Sequence, residues 1–240
     1  MTRKTNTLKM IKYLENRINC ENVMEFASRH NCDSNKCYMK IDEIPVFFEI
    51  IKYNKNDNMN NLFTTFDLMT KTNHTDIEIF PYIYGVLNCN NDLEEINYLY
   101  IYYEPFNDDL YNFIKNMNHI SDWYSLIFGI ALIEKFQFDN EITFQETDLK
   151  NILFRKLSEP KKIKMNDIIN VTKFIFCYWS LEPFDTIKPD KCVFFEEILR
   201  LINNREFVVE PSKKIVSVIE ELANNPTKIL EIIEKNFTSK

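Results

Sequence analysis

With 240 residues the chain has room for one large domain or two small lobes, and 45% hydrophobic and 14% aromatic content is enough for a sizeable core rather than disorder. The net charge of −7 argues against a general nucleic-acid binder, whose footprint is basic, although a local basic patch can form around Lys161, Lys162 and Lys164. With only two glycines, Gly85 and Gly129, a Gly-rich phosphate loop is excluded and Asn must occupy many of the tight turns.

In chain order, Leu8, Ile11, Leu14 and Ile18 recur at helical spacing and predict a helix over residues 5–19. "CYMKID" and "VFFEIIKY" read as strands separated by a turn at Glu43-Ile44-Pro45. "NNLFTTFDLMTKTNH" is a helix candidate. "IFPYIYGVLNC" and "NYLYIYYEPF" are aromatic and β-branched runs that suit strands, joined by the acidic turn "NNDLEE". After Glu104-Pro105-Phe106 the character changes. "DDLYNFIKNM" and "DWYSLIFGIALIEKF" read as helices, and the chain is expected to stay mostly helical from there to its end. "VFFEEILRLI", "SKKIVSVIEELA" and "PTKILEIIEKNF" carry apolar residues three and four apart. Asn225 and Pro226 suit a cap and first helical turn. The expected organisation is α+β: an N-terminal strand-rich lobe over 1–103 and a shortened, mainly helical lobe over 104–240.

Six cysteines lie irregularly, and the opening "MTRKTNTLKMIKYLENRINC" has charges throughout and no apolar core of a signal peptide. The expectation is a reducing compartment, the cytoplasm, with thiols free and mostly buried. "WYSLIFGIALI" is too short to span a bilayer and reads as a buried helix. His30, Cys32 and Cys37, with Cys20 upstream, do not match the spacing of common zinc modules. A polar loop before a strand is the better reading. The enrichment in Asn, Lys, Ile and Phe, whose codons are AT-rich, points to an AT-rich genome such as that of a large DNA virus or a protist.

One stretch, "FQETDLKNILF" (Phe144 to Phe154), sets two acidic side chains before an Asn that opens an apolar run. With the elements around it, it resembles the protein-kinase-like superfamily over roughly residues 37–170. That family's catalytic loop reads His-x-Asp-Leu-Lys-x-x-Asn before an apolar strand. Anchored at Asn151, the His position is Phe144, the catalytic Asp position is Glu146 and the Lys position is Asp148. Anchoring "DLK" itself leaves Asn151 two residues too early to share a metal with Asp148. "KKIKMNDII" looks like the strand ending in the metal-binding Asp-Phe-Gly, with Asp167 at the Asp position and Ile168 and Ile169 after it. "VFFEIIK" looks like the third strand, whose Lys is Lys52. Glu104-Pro105-Phe106 looks like the hinge. The Glu that partners the Lys has no clean match, the nearest positions being Thr65 and Asp67.

The resemblance implies a two-lobed kinase-like fold. It also implies a nucleotide site in which Lys52 neutralises phosphates, Asn151 and Asp167 hold magnesium, and Glu146 serves as base. Glu104, Phe106 and Leu153 would line the adenine. Lys52, Asn151 and Asp167 should then converge on one cleft with Glu146 at its mouth. Their placement on opposite faces would speak against the kinase reading. Departures from the pattern all oppose turnover. Glu146 is longer than Asp, Asp148 places negative charge where the family has positive, and no glycine-rich loop precedes Lys52. Ile50 is expected to crowd the adenine space, and Ile169 replaces a flexible Gly. The reading is therefore a pseudokinase that binds another protein, host or viral, with no nucleotide cofactor and no membrane association. Two alternatives stand beside it. One is an active kinase of a protein or small molecule, using ATP and Mg2+ with Glu146 as base. The other is a structural component of a viral particle or replication complex.

Overall fold

The structure is a computed structural model that describes residues 11, 12, 14, 17–29, 36–41, 44–54, 65–69, 78–91, 96–180, 184–205 and 207–237. The fold is α+β, with an antiparallel sheet in the first half and most of the helices in the second. Strands β1 (Lys36–Ile41), β2 (Ile44–Asn54), β3 (Ile83–Asn91) and β4 (Ile96–Tyr103) form one sheet in the order β1-β2-β4-β3. The β1–β2 register closes at Ile41↔Ile44, so Ile44 and Pro45 belong to the strand rather than to the expected turn. Proline is tolerated there because it lies near the start of β2, before the pairing with β4 begins at Phe47.

Strand alternation gives this sheet two apolar faces. Val46 and Phe48, with Ile50, Tyr100 and Tyr102, meet Leu14, Ile18 and helix α1 (Cys20–Arg29). Phe47 and Ile51, with Leu99, Ile101 and Tyr103, meet the core of the second half. That core is continuous across the expected boundary between residues 103 and 104. Tyr102 lies so close over Gly85 that a Cβ there would sit 2.1 Å from its hydroxyl, which explains a glycine in mid-strand.

Helical residues on the expected 5–19 segment include Ile11, Lys12 and Leu14, with the amide of Ile18 bonded to the Leu14 carbonyl at 2.9 Å. Of the helix candidate between β2 and β3, residues 65–69 are helical, and the rest lies outside the described residues. The turn residues 92–95 and the loop holding His30 and Cys32 also lie outside them.

The second half begins with the short β5 (Asp108–Asp109) and helix α2 (Leu110–Asn116), whose N-terminus is capped by Asp109 accepting from the Asn112 amide at 2.8 Å. Helix α3 (Ile120–Asp139) is apolar around most of its circumference because it is enclosed by β8 and the later helices. A Cβ on Gly129 would stand 2.4 Å from the Phe176 ring, so this glycine sets how closely α3 lies on β8. After β6 (Thr143–Phe144), the chain departs from the expected run of helices. Strands β7 (Ile152–Met165) and β8 (Ile168–Tyr178) make a long antiparallel hairpin, paired from Ile152↔Tyr178 to Met165↔Ile168. Its turn uses Asn166 at φ 53°, as expected for a chain poor in glycine. β9 (Phe184–Asp185) pairs with β6. Helices α4 (Val193–Asn203), α5 (Lys213–Ala223) and α6 (Ile229–Phe237) follow the predicted spacing, and a 3-10 turn at Pro226–Lys228 leads into α6.

The expectation of free thiols fails in the first half. Cys20 on α1 and Cys89 on β3 form a disulfide with Cα atoms 5.5 Å apart, and Cys37 is disulfide-bonded as well. Spacing alone did not reveal the Cys20–Cys89 pair, because 69 residues separate its two members. Cys177 and Cys192 are buried thiols. No helix among the described residues is long and apolar enough to cross a membrane.

Candidate functional site

The loop between β6 and β7 brings Glu146 and Asn151 into direct contact. Asp148 caps the single 3-10 turn Leu149–Asn151 by accepting from the Lys150 amide at 2.9 Å, which folds the loop back on itself. The Asn151 side-chain amide then donates to Glu146 Oε2 at 2.9 Å, and the Ser180 hydroxyl donates to the same oxygen at 2.6 Å. The Tyr178 hydroxyl adds a bond to the Glu146 carbonyl at 3.1 Å. The Glu146 carboxylate is thus held by the protein's own donors. Lys150 does not turn toward it, and its ammonium lies 5.7 Å from the Tyr111 ring centroid.

The other expected site residues go elsewhere. Lys52 is exposed, and strand alternation puts it on the Phe48–Ile50 side of the sheet, away from the second half. Ile50 packs on that same outer side, so it does not enter the space between the halves. Thr65 is buried and Asp67 exposed. Asp167 stands fully exposed at the tip of the β7–β8 hairpin, with Lys164 at 3.8 Å. Asn151 precedes the root of the same hairpin, roughly 30 Å away along a straight strand. Asn151 and Asp167 therefore do not fit a shared magnesium ion, and Lys52 does not complete a phosphate site with them. The convergence of Lys52, Asn151 and Asp167 on one cleft is overturned. The loop pair Glu146–Asn151 and the order of elements are what remain of the resemblance.

The position beside Asn151 at the end of the returning strand is held by Trp179. Its amide donates to the Asn151 carbonyl at 2.7 Å. Its indole lies 4.4 Å from the Tyr103 ring, and Tyr103 stacks on Phe47 at 6.2 Å. The indole N–H donates to Glu49 at 2.7 Å. Trp179 and Tyr103 are both almost fully buried, so this aromatic stack fills the space under β2 and β4. Burial, and then the neighbouring Glu49 carboxylate, push the Tyr103 phenol far above its ordinary pKa.

The connector is occupied by structural bonds. Glu104 and Tyr82 exchange two bonds, Tyr82 N–H to Glu104 Oε1 at 2.9 Å and Glu104 N–H to the Tyr82 carbonyl at 3.0 Å. The other Glu104 oxygen receives Arg155 at 2.5 Å, and Arg155 also faces Glu78 at 3.7 Å and the Phe106 ring at 5.9 Å. Lys161 reaches Glu78 at 2.6 Å. Leu153 sits in β7 opposite Cys177 and packs on the main core. Glu104 and Phe106 belong to the connector itself, and the Glu104 carboxylate is committed to Tyr82 and Arg155.

Over 276 residues covering 99% of each chain, the sequence is 32% identical to "Uncharacterized protein R691" of Acanthamoeba polyphaga mimivirus. The chain belongs to the R691 family. This relationship agrees with the viral source suggested by the AT-rich composition. No family model matches the sequence. Among solved structures, "WaaP in complex with acyl carrier protein" is 8% identical, with a TM-score of 0.46 over 84% of this chain and 78% of that one.

This R691-family chain carries a second buried carboxylate that the sequence reading passed over. Glu134 on α3 accepts the Phe194 amide at 2.7 Å and so caps the N-terminus of α4. Gln137, one turn on, donates to Glu134 at 3.2 Å and accepts the Phe144 amide at 2.8 Å. Burial raises the Glu134 pKa to about 8 despite the amide bonds that oppose the shift. Among the described residues no group of three or more His, Cys, Asp or Glu side chains is placed to hold a metal ion.

Proposed function

We propose that this R691-family chain is a catalytically impaired relative of the protein kinases that acts by binding another protein. The observation that carries the reading is Trp179. Where the resemblance requires a metal-binding carboxylate at the end of the strand returning to Asn151, the chain has an indole bonded to Glu49 and stacked on Tyr103. A filled space favours structural persistence over nucleotide binding. The outward-facing Lys52 and the remote Asp167 support the same reading, since phosphoryl transfer depends on cations held on the phosphates.

A second reading, an active kinase using Glu146 as base, draws support from the Glu146–Asn151 pair alone. The mimivirus relative fits the viral setting of a third, a structural component of a viral particle or replication complex, and its name carries no function. Titration of the purified protein with ATP and magnesium in a thermal-shift assay tests the first two. No shift in Tm and no phosphate release are expected. A rise in Tm with turnover that Glu146→Gln abolishes would overturn the pseudokinase reading.

A further inference from the structure

The α2–α3 connection and the β7–β8 hairpin enclose a groove of about 480 Å³ on the second half, away from the Glu146 loop. Its floor is aromatic. Phe113 of α2 lies 4.8 Å from Phe154 and 4.9 Å from Phe174, and Met117 extends the same surface. Thioether and aromatic side chains make an apolar floor that adapts to the shape of an inserted group.

The rim has a different character. Lys156 of β7 and Lys173 of β8 both border the groove and are exposed, and neither has a carboxylate partner among the described residues. Two lysines left without an acidic neighbour give this rim a local positive charge on a chain of net charge −7. His119 and Asp122 also border the groove. Asp122 is engaged at the start of α3, accepting the His119 amide at 3.3 Å, so it is committed to the helix end. Asn118 and Ser121 complete the rim with neutral hydrogen-bonding groups of the kind that hold an extended backbone.

We infer that this groove is the docking site of the binding module proposed above, and that it takes an acidic peptide segment carrying a bulky apolar anchor. The anchor would bury itself on Phe113, Phe154 and Phe174 while flanking carboxylates pair with Lys156 and Lys173. The inference rests on the protein-binding reading and gives it a site and a partner chemistry. Charge complementarity selects acidic flanks, and the aromatic floor selects the anchor.

Fluorescence polarisation with the full chain tests it, using the labelled peptide Glu-Glu-Leu-Phe-Glu-Glu. Two controls go with it: one with alanines for Leu-Phe and one with lysines for the glutamates. The acidic peptide should bind wild type and weaken with salt, and neither control should bind. The double variant Lys156→Glu, Lys173→Glu, both at exposed positions, should bind the acidic peptide at least about tenfold more weakly and acquire binding of the lysine peptide. Failure of the acidic peptide to bind wild type overturns the inference, as does equal binding by the double variant or by the alanine peptide. The nucleotide titration is independent of these outcomes. Stabilisation by ATP with turnover that Glu146→Gln abolishes would defeat the pseudokinase reading, and a negative peptide result would defeat the groove alone.

Discussion

The indole N–H of Trp179, at the end of β8, donates to the carboxylate of Glu49 in β2 at 2.7 Å, tying the second half of the chain to the first sheet. Tyr103 lies against the same indole. Trp179→Ala removes the ring contact, leaves a cavity and strips Glu49 of a donor. A loss of about 3–5 kcal/mol is expected in urea denaturation. A loss below about 1 kcal/mol would show that the two halves are not joined there.

The buried bonds around Glu104 predict an asymmetry between two substitutions. Glu104→Ala leaves the Tyr82 amide without its acceptor and Arg155 without its nearer carboxylate, with an expected cost of about 3–5 kcal/mol. Glu104→Gln retains an acceptor for Tyr82 and should cost visibly less. Equal effects from the two would mean that charge, rather than the lost hydrogen bond, dominates.

Glu134 predicts a dependence of stability on pH. Its pKa rises from an ordinary 4.5 to about 8 on folding, so between these values the folded chain holds a proton that the unfolded chain has released. The stability associated with this group is therefore complete below about pH 4.5, falls as pH rises toward 8, and levels off above it. Glu134→Gln removes the titration. Relative to wild type, the variant should gain stability progressively between pH 5 and 8, by on the order of a few kcal/mol in total. A constant difference across that range would refute the assignment.

The elements whose apolar residues follow a clear period were legible in the sequence. α3 through α6 and the strands of the first sheet fall where the spacing put them, and a hydrogen bond between two expected site residues, Asn151 to Glu146, lies in the loop that the resemblance singled out. The long hairpin was not legible as a unit. The stretch "RKLSEPKKIKM" contains a register shift between Lys156 and Lys161 that interrupts its alternation, so β7 did not read as one strand. This had a direct consequence for the site. Because the hairpin is long, matching "KKIKMNDII" to the strand before the metal-binding Asp selected Asp167 at its tip, whereas the chain returns to Asn151 only at Trp179. Lys52 failed for a related reason. In a sheet covered on both faces, apolar residues occur at successive positions and no longer mark which side faces the second half.

The Cys20–Cys89 disulfide closes a long loop between α1 and β3, which restricts the unfolded chain. In the chain-entropy account, a loop of this length stabilises by roughly 4–4.5 kcal/mol. The double variant Cys20→Ser, Cys89→Ser should lose about that much in denaturation experiments under oxidising conditions. Unchanged stability would mean that the bridge adds no net constraint to folding.

The chain contains two tryptophans, and both indoles are almost completely shielded from water, Trp123 at 0% and Trp179 at 1% exposure. They lie in different places. Trp123 bonds to the Val209 carbonyl within the helical half, and Trp179 sits at the junction with the first sheet. Trp123→Phe would leave a single emitter at that junction, with Tyr103 against it as an energy donor. The wavelength of its emission and its access to acrylamide then report directly on whether the two halves part. The protein thus contains an intrinsic fluorophore at the seam between its halves, and opening there can be followed without attaching a label.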